Sequence, residues 1–207
     1  MRLIVVRHGQ TQWNHEKRAL GHADVELNEE GRRQAQWLAL ALKEEKLVAI
    51  YSSPLKRALE TAQAIARFHQ AEVGVDRAFI EMDVGEMDGL TYEEMRDRYG
   101  EFLKEWMKGS CSLALPGGEC LEDVQRRAWL GVEKIIKEHL KPEDVVAVVS
   151  HNFTILCIIC RALGLELSQF RRLRLNLASI SVLDFGGRGT TLVRFNDTCH
   201  LPTGVDQ

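Results

Sequence analysis

The chain has 207 residues, 45% of them hydrophobic and 28% charged, and 27 Lys and Arg against 30 Asp and Glu leave a formal net charge of −3. That length buries a substantial core without splitting, and the composition is ordinary for a soluble globular protein. The slightly acidic balance excludes a broad basic surface for nucleic acid, and no apolar stretch is long enough to span a bilayer.

The first apolar run, Leu3, Ile4, Val5 and Val6, is flanked by Arg2 and Arg7 and reads as a central strand of a parallel sheet. It is too short for a signal peptide and lacks a cleavage region, so no leader is expected. Arg7, His8, Gly9, Gln10 and Thr11 follow directly, at the strand exit where open α/β sheets bind ligands. Gly9 lacks a Cβ at a sharp turn, which leaves room for an oxyanion to approach the backbone. Asn28 then caps a helix with an acidic first turn and the apolar stripe Ala35, Leu38, Ala39 and Leu42.

A second run, Val48 to Tyr51, ends in Ser52, Ser53, Pro54, Leu55, Lys56 and Arg57. Ser53 and Pro54 open a helix that turns Ala58, Ala62, Ile65 and Phe68 inward. The stretch from Gly89 to Pro116, rich in Met, Tyr and Phe and containing Trp106, predicts small helices. A longer helix runs from about Leu121 to His139, with Val124, Ala128, Val132 and Ile135 on one side. The third strand, Val145 to Val149, delivers Ser150 and His151, and Gly164 ends the helix behind them. Ser179 to Leu183 and Thr191 to Phe195, separated by Gly186, Gly187 and Gly189, read as a hairpin or paired strands.

Parallel strands joined by right-handed crossovers bring Arg7, His8, Arg57 and His151 to one sheet edge. Two guanidiniums and two imidazoles in one pocket repel each other unless an anion neutralises them. A phosphoryl group fits best, because Arg offers a planar fork of donors matched to its oxygens.

Five cysteines, Cys111, Cys120, Cys157, Cys160 and Cys199, leave one unpaired under any intramolecular scheme, which favours a reducing, cytoplasmic setting. Cys157 and Cys160 form a single CxxC spacing inside an apolar helical stretch and read as core. The seven His residues show no HExxH or paired ligand spacing, so neither metal nor another cofactor is expected.

The ordered blocks together resemble the histidine phosphatase superfamily, which includes the cofactor-dependent phosphoglycerate mutases. They are Arg7, His8, Gly9 and Asn14; Ser52, Pro54, Arg57, Glu60 and Thr61; Glu81, Gly85 and Gly89; Gly117, Gly118, Glu119, Asp123 and Arg127; and Ser150 with His151. The resemblance spans nearly the whole length and implies one domain over 1–207. Its architecture is a three-layer α/β/α sandwich, with a mostly parallel central sheet and a small helical cap at about 89–116.

By the same resemblance His8 is the nucleophile that becomes phosphohistidine. Arg7, Arg57 and His151 hold the phosphoryl oxygens, Asn14 adds a neutral donor, and Glu81 is the general acid and base. The His8 ring nitrogen that does not attack must carry its proton to a carbonyl or carboxylate. Two departures from the family pattern stand out: Cys120 replaces the usual Ser, which weakens a helix cap, and Asn152 follows His151 where many members have Gly. Asn152 either contacts substrate or caps the next helix.

The cap is short, and its Arg96, Arg98, Lys104 and Lys108 alternate with carboxylates as on a solvated face. That pattern favours a phosphatase of small phosphorylated metabolites, acting as a monomer or homodimer. A mutase and a non-catalytic phosphate-binding module are the alternatives.

Overall fold

In a computed structural model, strand β1 (Arg2–Arg7) buries Leu3, Ile4, Val5 and Val6 almost completely, which only a strand covered on both faces can do. Residues 1–187 and 189–202 are described; Arg188 and 203–207, the end of the expected domain, lie outside the described residues. Side chains alternate along the strand. Leu3 and Val5 pack on one side of the sheet with helices α5 (Leu121–Glu138) and α6 (Asn152–Ala162), whereas Ile4 and Val6 pack on the other with α2 (Glu29–Leu42) and α3 (Lys56–Ala66). Two separate cores, one on each face, make the expected three layers.

The sheet has six strands in the order β3-β2-β4-β1-β5-β6, where β2 is Leu47–Ser52, β3 Val73–Val75, β4 Val145–Ser150, β5 Ile180–Gly186 and β6 Gly189–Asp197. Strands β3, β2, β4 and β1 are mutually parallel, while β5 runs antiparallel to β1 and pairs with β6 as a hairpin. The mostly parallel reading therefore holds. Strand β3 was not foreseen, because three residues with Gly74 at their centre carry too little pattern to read.

Asn28 caps α2 as expected, its side-chain oxygen accepting from Gly31 N at 2.8 Å. Gly164, with φ +65°, ends the turn after α6. Phe68 contradicts the expectation: α3 stops at Ala66, and the ring is 49% exposed. Helix α3 also begins later than Ser53 and Pro54 suggest. Its first N–H, on Lys56, is satisfied by Asp24 at 2.7 Å, a partner too distant in sequence to be read as a cap. Cys120 sits at the cap position of α5 with no side-chain bond to the helix backbone, as its replacement of Ser implies.

The small helices expected over 89–116 are two helical segments that together make α4 (Tyr92–Met107), separated by a kink where Tyr99 leaves helical geometry at φ −127° and ψ 23°. Thr91 and Glu94 form a capping box at its start. Its cations pair with carboxylates of the same helix, Lys104 with Glu101 and Lys108 with Glu105, in exposed ion pairs. No described helix is long and apolar enough to cross a membrane.

Gly9 serves packing and not an open approach to its backbone. A Cβ there would lie 2.5 Å from Gly31 O, and one on Gly31 would overlap the carbonyl of Gln10. Helix α2 thus meets the loop after β1 with no room for a methyl group. Gly31→Ala should cost at least about 2–3 kcal/mol, because both obstacles are backbone. Gly164→Ala, left-handed but with open space around it, should cost only about 1–2 kcal/mol. Urea unfolding of the two variants checks the ranking.

Candidate active site

The register of the sheet assembles the site. Arg7 pairs with Ser150 across β1 and β4, and Ser52 pairs with Val149 across β2 and β4. The ladder continues one step past the strand ends: His8 N donates to Ser150 O at 3.1 Å and Ser53 N to Val149 O at 3.0 Å. His8, His151 and Ser53 therefore leave three adjacent strands at the same level. The rings of His8 and His151 stand 5.0 Å apart, and both residues are buried.

His8 Nδ1 lies 2.7 Å from Gly9 O. A carbonyl only accepts, so Nδ1 carries the proton and the Nε2 lone pair is free. Burial, then the charges of Arg57 and Arg7, hold this imidazole well below the ordinary histidine value of 6.5, and it stays neutral. Burial followed by Arg57, His8 and Arg7 does the same to His151. The backbone fixes His8 from the other side as well, because Ala178 N donates to His8 O at 3.0 Å. Ala178 adopts φ +53°, unusual for a residue with a Cβ, and its own carbonyl accepts from His200 Nε2 at 3.0 Å.

Both guanidiniums are anchored to carbonyls. Arg7 Nη1 donates to Leu175 O, and Arg57 donates through Nη1 to Ala23 O at 2.8 Å and Nη2 to Gly21 O at 2.7 Å. Asp88 in turn pins that loop, accepting from Gly21 N and Ala23 N at 2.9 and 2.8 Å. Burial pulls Arg7 and Arg57 down to about 10, partly offset by Glu81, so both remain cationic near neutrality. Each points one donor nowhere. Arg7 Nε, Arg57 Nε and His151 Nδ1 are buried with no hydrogen-bond partner among the described residues.

Glu81 is buried on the loop after the short 3₁₀ turn Arg77–Phe79, against the start of α6. Its Oε1 accepts from Met82 N at 2.8 Å, Thr154 N at 3.3 Å and Thr154 Oγ1 at 3.4 Å, while among the described residues Oε2 takes only Phe153 N at 3.3 Å. Oε2 is the freer oxygen. Arg127 braces this loop, donating to the carbonyls of Ala78, Ile80 and Glu81 at 2.7–3.0 Å while pairing with both oxygens of Glu119. Glu119 closes the brace by accepting from Asp83 N at 2.9 Å.

The structure thus brings Arg7, His8, Arg57 and His151 together, with Glu81 near enough to influence both guanidiniums. Asn14 spends its side-chain oxygen on a capping box, accepting from Thr11 N at 3.1 Å and Thr11 Oγ1 at 2.9 Å, which leaves the amide NH₂ as its donor. Asn152 is the first residue of α6 and caps nothing. Cys157 and Cys160 are fully buried in the core, and burial pushes both thiols up.

Sequence reasoning missed Ser53 as a site residue, although its hydroxyl lies 2.7 Å from His151 Nε2. It also missed His22, whose Nε2 donates to Glu81 O at 2.9 Å. Neither carries a local signal, since each acts through a residue far away in the chain.

Because His8 and His151 are held neutral, protons favour the unfolded chain below about 6.5. Stability from these two groups is fully present above that pH and is lost as pH falls toward their lowered folded values. The slope within that window should approach about 1.4 kcal/mol per pH unit per histidine. Urea titrations from pH 8 to 5 should show it, and replacing both residues with Asn should flatten that part of the curve.

A family model described as the histidine phosphatase superfamily (branch 1) matches residues 3–198. Phosphoserine phosphatase 1 of Hydrogenobacter thermophilus is 37% identical over 201 residues, covering 97% of this chain and 94% of the relative. Phosphoglycerate mutase-like protein 4 of Arabidopsis thaliana is 42% identical over 163 residues, covering 77% and 70%. Among solved structures, a mycobacterial glucosyl-3-phosphoglycerate phosphatase complexed with VO3 superposes with a TM-score of 0.88 at 29% identity, covering 95% of this chain and 99% of that one.

Proposed function

Because the chain belongs to the histidine phosphatase superfamily, we propose that it hydrolyses small-molecule phosphate monoesters through a phosphohistidine on His8. One observation carries the reading: Arg7, Arg57 and His151 each keep a buried donor with no partner among the described residues, both guanidiniums act on the His8 imidazole, the His151 ring stands 5.0 Å from it, and the Nε2 lone pair of His8 is free. A phosphoryl group carries the oxygens that such donors require. In this reading Ser53 Oγ, 2.7 Å from His151 Nε2, donates its proton to that nitrogen, so the ring proton of His151 sits on the unpartnered Nδ1 and serves the anion.

In the first step His8 Nε2 forms a bond to phosphorus as the P–O ester bond breaks, and the departing alkoxide takes a proton from Glu81 Oε2. Water then attacks phosphorus and the N–P bond breaks. The proton that water gives up returns to Glu81, so one carboxyl group serves both steps. Arg7, Arg57 and His151 offset charge on the equatorial oxygens throughout, a contribution of about 10²- to 10³-fold in rate for each well-placed donor. The NH₂ of Asn14 and the side chain of Asn152 complete the binding shell.

Water is the acceptor because a mutase needs a second cationic cluster for its bisphosphate intermediate. Of the four cap cations that could supply one, three are engaged by neighbouring carboxylates, Lys104 with Glu101, Lys108 with Glu105 and Arg96 with Asp97, and Arg98 alone does not make a cluster. Cytoplasmic operation accords with five free cysteines.

His8→Ala should lower turnover by at least about 10⁴-fold with the fold intact, and rapid quench with labelled substrate should place phosphate on His8 alone. Label on another residue, or an active variant, overturns the mechanism. Monoester hydrolysis should exceed interconversion of 2- and 3-phosphoglycerate by at least about a hundredfold, roughly 3 kcal/mol of transition-state preference. A mutase rate equal to the phosphatase rate on one sample reverses the assignment. Glu81→Gln should slow single-turnover transfer from alkyl esters more than from aryl esters, whose phenolate needs less proton donation. Equal losses move the acid elsewhere.

A further inference from the structure

A short strap, residues 175–179, runs past the exit of β1 and meets the site twice. Leu175 O accepts from Arg7 Nη1, and Ala178 N donates to His8 O at 3.0 Å. Arg7 N donates in turn to Ser179 O at 3.2 Å, so the strap prolongs the antiparallel pairing of β5 with β1 beyond Val6 and Ile180. The main chain of His8 is thereby held from both sides, its N–H by Ser150 O and its carbonyl by Ala178 N.

Ala178 does not keep that place unaided. It is fully buried at φ +53°, a conformation in which its Cβ crowds the neighbouring carbonyl. A return to negative φ would swing the Ala178 N–H away from His8 O. What opposes the return comes from the segment after β6. His200 Nε2 lies 3.0 Å from Ala178 O, and because a carbonyl only accepts, that nitrogen carries the proton. Burial holds the His200 ring below the ordinary histidine value, against the pull of Ala178 O and Asp197, so near neutrality it donates as an uncharged imidazole. Leu201, the next residue, is buried in the same core as Ala178. The end of β6 grips the strap a second time through Asn196, itself at φ +51°, whose Oδ1 accepts from Asn176 N at 2.6 Å. That grip lies beside Leu175, which holds Arg7, whereas His200 grips the end that holds His8. The two ends of the strap are separately secured.

We propose that His200 is a positioning residue of the reaction: by fixing Ala178 in its left-handed conformation, it sets the place of the His8 imidazole relative to the phosphoryl group. The role rests on the phosphohistidine reading above. His200 acts through Ala178 and the His8 main chain, and a misplacement of about 1 Å in a reacting group costs on the order of 10²-fold in rate.

His200→Leu keeps much of the ring's bulk and removes the donor, whereas His200→Gln keeps a donor, its amide Nε2 standing as many bonds from the backbone as the imidazole Nε2. Rapid quench with 4-nitrophenyl phosphate should show His8 phosphorylation slowed about 10- to 100-fold by His200→Leu and no more than about threefold by His200→Gln. Inhibition by inorganic phosphate should stay within about threefold of wild type in both, because the Arg7 end of the strap keeps its own tether. In an Ala178→Gly background His200→Leu should cost no more than about threefold, since glycine takes positive φ without a partner. NMR adds a readout independent of turnover: the His8 Nδ1 proton, on a 2.7 Å bond to Gly9 O, should shift in His200→Leu and return in His200→Gln. His200→Ala replaces the leucine variant should that one fold poorly.

A wild-type phosphorylation rate without the donor, a glutamine variant as slow as the leucine one, or an equal loss in the Ala178→Gly background overturns the assignment. Label on His8 at the wild-type rate in His200→Leu leaves the hydrolase reading standing and removes this inference. If the wild type hydrolyses no ester, the hydrolase reading falls and the proton resonance decides alone. A shift in His200→Leu that His200→Gln reverses keeps His200 as the residue that places His8, and an unmoved resonance removes it.

Discussion

The organising constraint is a cluster of cations and imidazoles buried at one edge of a sheet. Removing a guanidinium from water is expensive unless its donors are satisfied. Here main-chain carbonyls anchor each guanidinium in part: Leu175 for Arg7, Gly21 and Ala23 for Arg57, and Ala78, Ile80 and Glu81 for Arg127. Each carbonyl must itself be held, which is why Asp88 ties down the Gly21 loop and Glu119 clamps Asp83. Carbonyls are neutral. They position the cations without cancelling them, so the field left at the pocket remains positive and selective for an anion.

How far this was legible in the chain depended on whether the signal was local. Leu3 to Val6 and Val145 to Val149 are uninterrupted apolar runs that end in chemistry-bearing residues, so the parallel core of the sheet and the meeting of His8 with His151 could be read directly. Arg57 was readable because it falls in the first turn of a helix that follows a strand. The supports were not. Asp24 satisfying Lys56 N, His22 holding Glu81 O and His200 holding Ala178 are contacts across 22 to 59 positions, created by tertiary folding alone. Phe68 failed for the opposite reason: helical periodicity was extrapolated past the point where α3 ends.

The cap shows a similar limit. Its charge pattern correctly indicated an outward, self-paired face, whereas composition says nothing about what an apolar inner face covers. Trp106, Leu103 and Met95 look alike in sequence whether they plug a core or, as here, wall a cavity. The difference lies in the space between elements, which depends on the bend at Tyr99 and on where Phe153 and Phe170 stand on the opposing side.

The contact between Gly9 and Gly31 bears on how such a chain can change over time. Overpacked sites are commonly rescued by shrinking a neighbouring side chain, which opens a stepwise mutational route. Here the obstructing atoms are the carbonyl of Gly31 on one side and that of Gln10 on the other, and a main-chain atom offers nothing to shrink. Neither position has a second-site suppressor within reach. The loop bearing His8 and the helix behind it form a heritable unit, and diversification has to proceed elsewhere, through the walls beneath α4, where side chains meet side chains and exchanges can be compensated.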